Sequence, residues 1–382
     1  MKKITCILLA VLSVFTLVGC NNTAKEEEVV DEGPIVIAVD EAWTGANAGN
    51  GEWVQLPVQH AVDEINEAGG ILGRQVEVIY EDSASTQNGA INAMKKIVEN
   101  DDVLAVIGPH MSTDALAVSD TVDQYEIIYM TGGSSMALND GNEWMFKLRC
   151  QDDIVASAAA EFATKDLGAK KVGIMYNNDE FGVGGRDILT AYFDSVGVEY
   201  VAEGHNSGES DFTSQILKMM NENVDTLILW TSGDISKIVK QRFEQGFEGN
   251  VITSSSFASE WTVMNMTTEE CQGVYSATDM TPEDPSETMT ALRAWAKDTF
   301  GCEPEAWISC YYNSVYILKD AIERAGSTDR EAVKNALYET AGLDSVLGEI
   351  NCDKNGALVH ECVVTRVAED KSFPLIKKIT VE

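Results

Sequence analysis

The sequence predicts an α/β protein made of two doubly wound lobes that a hinge of several segments joins. From residue 34 onward, short apolar runs typical of strands alternate with amphipathic helical patterns, which favours parallel sheets with helical crossovers. About 350 residues take part in this alternation, more than one domain usually contains. The alternation starts afresh near residue 150, so the second half repeats the pattern of the first half without repeating its residues.

The stretch AVDEINEAGGILG at residues 61–73 shows the local signals clearly. Val58, Val62 and Ile65 recur at helical spacing and predict one buried face of a helix. Gly69 and Gly70 are expected to end that helix, because glycine adopts the left-handed conformation of a helix C-cap without steric cost. The alternating residues that follow, up to residue 80, predict the next strand.

Polar loops follow three successive predicted strands, at residues 44–51, 108–113 and 131–135. Because ligands of parallel α/β sheets bind at the carboxyl ends of the strands, we expect these loops to line a ligand site. Hydroxyl and backbone N–H groups that converge there suit a carboxylate. The alternative is that the serines of these loops are ordinary turn and cap residues. No loop has the GxGxxG spacing, so we do not predict a bound dinucleotide.

Residues 61–85, AVDEINEAGGILGRQVEVIYEDSAS, followed by VLAVIGPHMST at 103–113, resemble the periplasmic-binding-protein type I family. More narrowly they resemble the substrate-binding lipoproteins of branched-chain amino acid ABC transporters. The resemblance covers residues 34–378 and implies two Rossmann-like lobes with a ligand cleft between them. The implied N-terminal lobe contains residues 34–148 and 279–343, and the implied C-terminal lobe contains residues 149–278 and 344–382.

The resemblance also implies ligand-binding residues. Ser112 matches the family's serine in its IG…S loop, and Gly133 and Ser135 match a backbone amide and a hydroxyl of the following loop. Together these three residues are implied to hold the α-carboxylate of an amino acid. Phe181 stands where the family has a tyrosine in the second lobe, and Tyr312 matches the tyrosine of the family's YDA helix.

Three further residues are candidates for contact with the rest of the ligand. Asp234 follows a predicted strand and could meet a cation, although it could equally be the N-cap of the next helix. Trp43 and Trp230 flank predicted cleft loops, but a tryptophan is more often a core residue than a ligand wall. The family's glutamate after the following strand has no clean counterpart, since Ser256 and Phe257 stand near that place. Whether the ligand carries an α-ammonium group therefore stays open.

Residues 1–19 are predicted to be a lipoprotein signal peptide. Two lysines precede an apolar run at residues 4–18 that is too short to span a membrane. The sequence LVGC at 17–20 resembles a bacterial lipobox, which implies cleavage before Cys20 and lipidation of its thiol. The alternative is an ordinary signal peptide with an incidental cysteine. Residues 20–33 are acidic, lack apolar periodicity and are predicted to form a flexible tether.

Composition and motifs exclude several classes of protein. The net charge of −35, from 62 acidic and 27 basic residues, disfavours binding to nucleic acid. The cysteines that follow residue 20 form no CxxC motif, and their pairing cannot be deduced from the sequence. Dispersed histidines predict no metal site, and we predict no cofactor. Because the sequence lacks the GxSxG, HExxH and P-loop motifs, we do not predict an enzyme.

The predicted function is that of an extracytoplasmic solute-binding lipoprotein of an ABC importer. It would bind an amino acid or a similar small carboxylate or amide metabolite between its lobes. Its predicted partners are permease and ATPase subunits, it is expected to be a monomer, and a lipid anchor would hold it on the extracytoplasmic face of the cell membrane. The alternative is a ligand-sensing receptor module that works with a separate signalling partner, because this fold also serves receptors.

Overall fold

The computed structural model of the protein describes residues 33–46, 48–139, 141–283, 286–360 and 362–379. The predicted signal peptide, Cys20 and the tether up to residue 32 lie outside the described residues. None of the helices within these ranges combines the length and the apolar character that a membrane crossing requires.

The strands are β1 (Ile35–Glu41), β2 (Val76–Asp82), β3 (Val103–Ile107), β4 (Ile128–Thr131), β5 (Met145–Lys147), β6 (Lys171–Asn177), β7 (Glu199–His205), β8 (Thr226–Trp230), β9 (Asn250–Thr253), β10 (Tyr275–Thr278), β11 (Leu343–Ser345), β12 (Gly348–Cys352), β13 (Leu358–Val359), β14 (Cys362–Arg366) and β15 (Leu375–Ile379). The helices are α1 (Glu52–Glu67), α2 (Gln87–Ile97), α3 (Ser112–Tyr125), α4 (Asp152–Glu161), α5 (Glu180–Val196), α6 (Thr213–Asn221), α7 (Ile235–Glu244), α8 (Glu260–Val263), α9 (Thr268–Cys271), α10 (Glu287–Phe300), α11 (Ala306–Ala325) and α12 (Arg330–Tyr338).

Two sheets with the same strand order organise the chain. The first sheet is parallel, in the order β2-β1-β3-β4-β5. The second sheet has the order β15-β14-β10-β9-β8-β6-β7, and its pairings are parallel except for those of β14. Strands β6 to β10 of the second sheet therefore lie in the same relative order as β1 to β5 of the first. The order is β7-β6-β8-β9-β10 in one and β2-β1-β3-β4-β5 in the other. This is a doubly wound order, in which ligands bind beyond the carboxyl ends of the strands. The predicted fold class and the repeated pattern are confirmed.

The clusters of buried apolar side chains follow the two sheets. One cluster surrounds the first sheet and includes much of α11. It also includes Ile350 and Leu358, which lie beyond residue 343. The second sheet has a separate cluster on each face: Ile174 belongs to one and its neighbour Met175 to the other. This division follows from strand geometry, because successive side chains point to opposite faces.

Helix α1 ends where the sequence predicts. Its last residue is Glu67, and Gly69 and Gly70 have φ angles of 110° and 80°. A Cβ atom on Gly70 would lie 1.9 Å from the carbonyl oxygen of Arg74, so a side chain at this position would clash with the backbone. Glycine is therefore needed both for the backbone conformation and for the close approach of the two segments.

Helix α5 begins earlier than the sequence pattern indicates. The sequence pattern predicts a loop at residues 177–182 and a helix from residue 187, but the helix starts at Glu180. The Asp179 carboxylate caps it by accepting a hydrogen bond from the Gly182 N–H at 2.9 Å. Glycines at 182, 184 and 185 masked the helical pattern, because glycine disfavours helix interiors.

The family resemblance also implies a terminal hairpin at residues 347–367, and this expectation is partly wrong. Strands β12 and β13 do form an antiparallel pair. Strand β14 does not continue this pair, because it joins the second sheet beside β10. The chain thus passes from the small sheet β11-β12-β13 into the second sheet within this segment.

The cysteines Cys271, Cys302, Cys310, Cys352 and Cys362 are present as thiols in the structure. Burial raises the pKa of each of these thiols, to about 11 for Cys302 and about 12 for Cys352. They act as small apolar side chains of the core.

Helix α5 packs against Trp230 at a position where only glycine fits. A Cβ atom on Gly185 would lie 1.8 Å from the Trp230 indole nitrogen, whereas one on Gly184 would meet just the Ser135 hydroxyl, at 4.0 Å. We expect Gly185→Ala to lower the free energy of unfolding by roughly 1–3 kcal/mol, because the indole must move. The matched control Gly184→Ala should leave it unchanged or raise it by up to about 1 kcal/mol. Urea unfolding of both variants measures this difference, and equal stabilities would contradict the packing described.

Candidate functional site

Two adjoining cavities lie where loops from both sheets meet. The inner cavity has a volume of about 20 Å³ and the outer cavity a volume of about 400 Å³, and Ser256 and Trp307 line both. The outer volume falls within the range of about 300–1,000 Å³ that is usual for small-molecule sites. The inner cavity is lined by His110, Met111, Ser112, Thr113, Ser134, Arg149, Phe181, Ser232, Ser256 and Trp307. The outer cavity is lined by Trp53, Gly233, Ile235, Ser236, Lys237, Lys240, Ser256, Ser259, Thr262, Asn265, Met266, Glu305 and Trp307.

The predicted carboxylate-binding residues lie close to one another, but Ser112 alone of the three lines the inner cavity, and Gly133 and Ser135 contact Ser112 without lining either cavity. Ser112 begins α3, and its hydroxyl accepts a hydrogen bond from the Ser135 N–H at 3.3 Å. Gly133 lies so close that a Cβ atom on it would be 3.2 Å from the Ser112 hydroxyl. Its own N–H donates to the Thr131 hydroxyl at 3.0 Å. The Ser135 hydroxyl donates to the Glu180 carboxylate at 3.3 Å and so links the loop after β4 to α5.

The N-termini of three helices supply residues to the inner cavity. Ser112 and Thr113 belong to the first turn of α3, Phe181 to that of α5 and Trp307 to that of α11. Helix N-termini carry partial positive charge and backbone N–H groups without intrahelical partners. No carboxylate is among the described residues that line this cavity. The inner cavity therefore suits an anionic group.

The two basic side chains of the inner cavity are held by buried acids. Arg149 donates from Nε to the Asp279 carboxylate and from Nη2 to the Ser255 hydroxyl. The Nδ1 atom of His110 lies 2.8 Å from Oε2 of Glu41. Burial opposes the charge on both bases, but the carboxylates outweigh it and raise the pKa of Arg149 and of His110. Both side chains are consequently held in place by a carboxylate that favours their charged forms.

The predicted aromatic and acidic residues of the second half take different positions. Phe181 lines the inner cavity, and its ring stacks on that of Trp230 with centroids 5.6 Å apart. Trp230 is 1 % exposed and supports Phe181 from behind. Asp234 accepts a hydrogen bond from the Gly208 N–H and pairs with Lys237, both at 2.7 Å. It stands at the N-cap position of α7 without a capping hydrogen bond, and it lines neither cavity.

Trp43 and Tyr312 also line neither cavity. Trp43 packs edge-on against a tyrosine of β2, and the Tyr312 hydroxyl donates to the Glu64 carboxylate on α1 at 2.6 Å. The neighbouring Tyr311 approaches the site instead, since its hydroxyl accepts a hydrogen bond from the Gly132 N–H at 3.2 Å. One step along an α-helix turns a side chain by about 100°, so adjacent tyrosines face different surroundings. The loop that contains Trp43 packs on the loop after β2.

Glu305 and Trp307 belong to the site although the sequence pattern did not mark them. The Trp307 ring lies 5.0 Å from that of His110 and 6.1 Å from that of Trp53, measured between centroids. The Glu305 carboxylate accepts a hydrogen bond from the Ile308 N–H at 2.9 Å and caps α11. The available signal was the predicted start of a helix at residue 305, since helix N-termini attract anions.

The outer cavity is more basic than the chain as a whole. Lys237 and Lys240 line it and, in the described lining, Glu305 is the one acid that accompanies them. Each lysine is paired with an acid outside the lining, Lys237 with Asp234 at 2.7 Å and Lys240 with Glu270 at 3.6 Å. Within the described part of the chain, no three His, Cys, Asp or Glu side chains gather in a way that would hold a metal ion.

Comparisons with known proteins agree with this geometry. The model of a family described as "Periplasmic binding protein" matches residues 34–372. An amino acid binding protein of Pseudomonas aeruginosa is 27% identical over 347 residues, which cover 88% of this chain and 91% of that protein. The Leu/Ile/Val-binding protein BraC3 of Rhizobium johnstonii is 27% identical over 333 residues, which cover 86% of this chain and 89% of that protein.

Solved structures show the same architecture. A leucine binding protein, LivK, from Thermotoga maritima superposes with a TM-score of 0.82 and 26% identity, covering 90% of this chain and 98% of that one. A solute binding protein of an ABC transporter from Rhodopseudomonas palustris, in complex with 3,4-dihydroxy benzoic acid, gives a TM-score of 0.82. It is 18% identical and covers 91% of this chain and 97% of that one, so it supports the fold alone. The family match spans most of the residues, so the predicted resemblance is confirmed. Members of this family are extracytoplasmic binding proteins and not enzymes. The chain belongs to the periplasmic binding protein family.

Proposed function

We propose that the protein is the solute-binding component of an ABC importer and binds an amino acid or a similar small carboxylate or amide metabolite in the cleft. The observation that carries this proposal is the inner cavity, where three helix N-termini and serine hydroxyls converge without a carboxylate among the described lining residues. The names of the similar proteins, which mention amino acids and leucine, favour an amino acid. The protein would act as a monomer and deliver its ligand to permease and ATPase subunits.

Four of the predicted site residues are proposed to contact the ligand. Ser112, Gly133 and Ser135 would surround its carboxylate, and the ring of Phe181 would form one wall. These assignments rest on the short distances among the three loop residues and on the place of Phe181 in the cavity lining. Trp230 and Asp234 would act indirectly, Trp230 by packing against Phe181 and Asp234 by pairing with Lys237. Trp43 and Tyr312 lie outside the site.

Two lobes are proposed to carry the two sheets, with boundaries near residues 148 and 278. Because Ile350 and Leu358 pack in the first core, we propose that residues 344–359 belong to the N-terminal lobe, later than the boundary predicted from the sequence.

Replacement of the two loop serines tests the carboxylate site. A charge-assisted hydrogen bond contributes roughly 1.5–3 kcal/mol, so Ser112→Ala and Ser135→Ala should each weaken leucine binding by about ten- to a hundredfold. Ser195→Ala, a change at an exposed serine of α5, is the matched control and should leave affinity unchanged. Titration calorimetry follows a thermal-shift screen that establishes which amino acids bind. Affinities within twofold of the parent for both variants would rule out the carboxylate site.

Closure of the lobes on the ligand is expected, because residues of both halves, such as Ser112 and Phe181, line the inner cavity together. A ligand that contacts both lobes should shift an open–closed equilibrium toward the closed form. Small-angle X-ray scattering at saturating leucine should then give a smaller radius of gyration than without leucine. An unchanged scattering profile, at a saturation shown by calorimetry, would argue against closure.

A lipid anchor on Cys20 is proposed from the lipobox-like sequence at residues 17–20. Two acyl chains on one thioether hold a protein on a membrane durably, whereas a single chain does so marginally. Cys20→Ser should therefore shift the protein from the membrane fraction to the soluble fraction of the producing cells. Immunoblots of both fractions measure this shift, and membrane retention of the variant would refute the anchor.

A further inference from the structure

An amino acid needs two complementary partners in a binding site, one for its carboxylate and one for its ammonium group. The inner cavity offers the first through its helix N-termini. An ammonium group prefers a carboxylate and the faces of aromatic rings. Ser256 and Phe257 follow β9 and offer neither a carboxylate nor an exposed ring, since Phe257 is fully buried. Among the described residues that line either cavity, Glu305 is the one acid.

Glu305 lies where the two cavities adjoin. It lines the outer cavity beside Trp307, which also lines the inner cavity. The rings of Trp307 and Trp53, another lining residue, are 6.1 Å apart. A cation at this junction would therefore meet one carboxylate and two indole rings, while a carboxylate attached to the same carbon could lie in the inner cavity.

We propose that Glu305 is a specificity-determining residue that pairs with the ammonium group of the bound amino acid. The inference rests on the proposed function, because it assumes that the ligand's carboxylate lies in the inner cavity. The partner of the ammonium group would then be a carboxylate at the N-terminus of α11, beside the first sheet. The family resemblance implies a glutamate after β9 instead.

Capping of α11 does not exclude a second role for Glu305. The carboxylate does accept the Ile308 N–H, but Ser, Thr, Asp and Asn are the preferred N-cap residues and glutamate is not among them. Glu305 is 6 % exposed, and a buried carboxylate is costly unless a cation or hydrogen bonds compensate it. A ligand cation at the cavity junction would supply that compensation.

The electrostatics of Glu305 predict a pH dependence. Burial raises the pKa of this carboxyl to about 7, against the opposing effects of two backbone N–H groups and Arg149. Asp279, Cys302 and Cys310 also interact with it, and Lys237 and Lys240 line the same outer cavity. A bound ammonium group would lower the pKa of Glu305, so binding releases a proton. Affinity should then rise by about tenfold between pH 6 and pH 8.

The test compares two ligands that differ by one ammonium group, leucine and 4-methylpentanoate, on three proteins. The parent should bind leucine at least tenfold more tightly than 4-methylpentanoate. Glu305→Gln should lose about ten- to a hundredfold in leucine affinity while its affinity for 4-methylpentanoate stays within threefold of the parent. Glutamine still accepts the Ile308 N–H, so the cap is kept, and melting curves confirm folding.

The matched control is Glu303→Gln. Glu303 is an acid that pairs with Arg293 and lines neither cavity, so this variant should bind both ligands as the parent does.

The pH profile gives a second readout that a capping role would not produce. The rise in leucine affinity between pH 6 and pH 8 should vanish in Glu305→Gln and persist in Glu303→Gln. If Glu305→Gln keeps the preference for leucine and the pH dependence, the inference is wrong although the carboxylate site stands. The inference would also be wrong, with the carboxylate site still supported, if the parent protein bound 4-methylpentanoate but no amino acid. If neither an amino acid nor a small carboxylate binds the parent, the proposed function itself fails.

Discussion

The buried guanidinium of Arg149 is the interaction on which the cleft depends most. It follows β5, where the chain leaves the first sheet, and it contacts Asp279 after β10 and Ser255 after β9. Three segments distant in sequence are therefore held at one charged group in a water-poor environment. Loss of one partner of such a pair leaves a buried, uncompensated charge, which typically costs about 3–5 kcal/mol. The shape of the inner cavity depends on this junction, because Arg149 lines it.

Charge is distributed in a way that separates the surface from the cleft. The chain has a large excess of acids, yet the lining of the two cavities is dominated by bases, hydroxyls and helix N-termini. Buried bases of the inner cavity are paired with acids behind them, as His110 is with Glu41. Such pairs fix these side chains before any ligand arrives, so the side chains themselves need little rearrangement when the lobes close.

Much of the fold could be predicted because its signals are local. The buried stripe of α1, its glycine stop and the alternation of strands and helices are each visible within a few residues, and the doubly wound order follows from that alternation. The convergence of Ser112, Gly133 and Ser135 was predictable for the same reason, since loops after adjacent parallel strands meet at one edge.

The rest of the site depends on packing between distant segments. Asp279 stands 130 residues after Arg149, so no local pattern could show that this arginine is buried and paired. The choice between Tyr311 and Tyr312 depends on how α11 is rotated against α1, which apolar spacing fixes only to within a residue or so. Glu305 was not marked from the sequence because an acid before a helix is ordinarily a solvated residue, so its position at a helix start was a weak signal.

The burial of the thiols affects how readily they form disulfide bonds in the oxidising environment outside the cytoplasm. Disulfide chemistry requires a thiolate, and a thiol with a pKa of about 11, as in Cys302, is deprotonated in about one molecule in ten thousand at neutral pH. Exported chains with several cysteines ordinarily risk wrong pairing once they meet an oxidising environment. Here burial in the folded core disfavours the thiolate forms of these cysteines, so packing and not disulfide bonding keeps them from pairing wrongly.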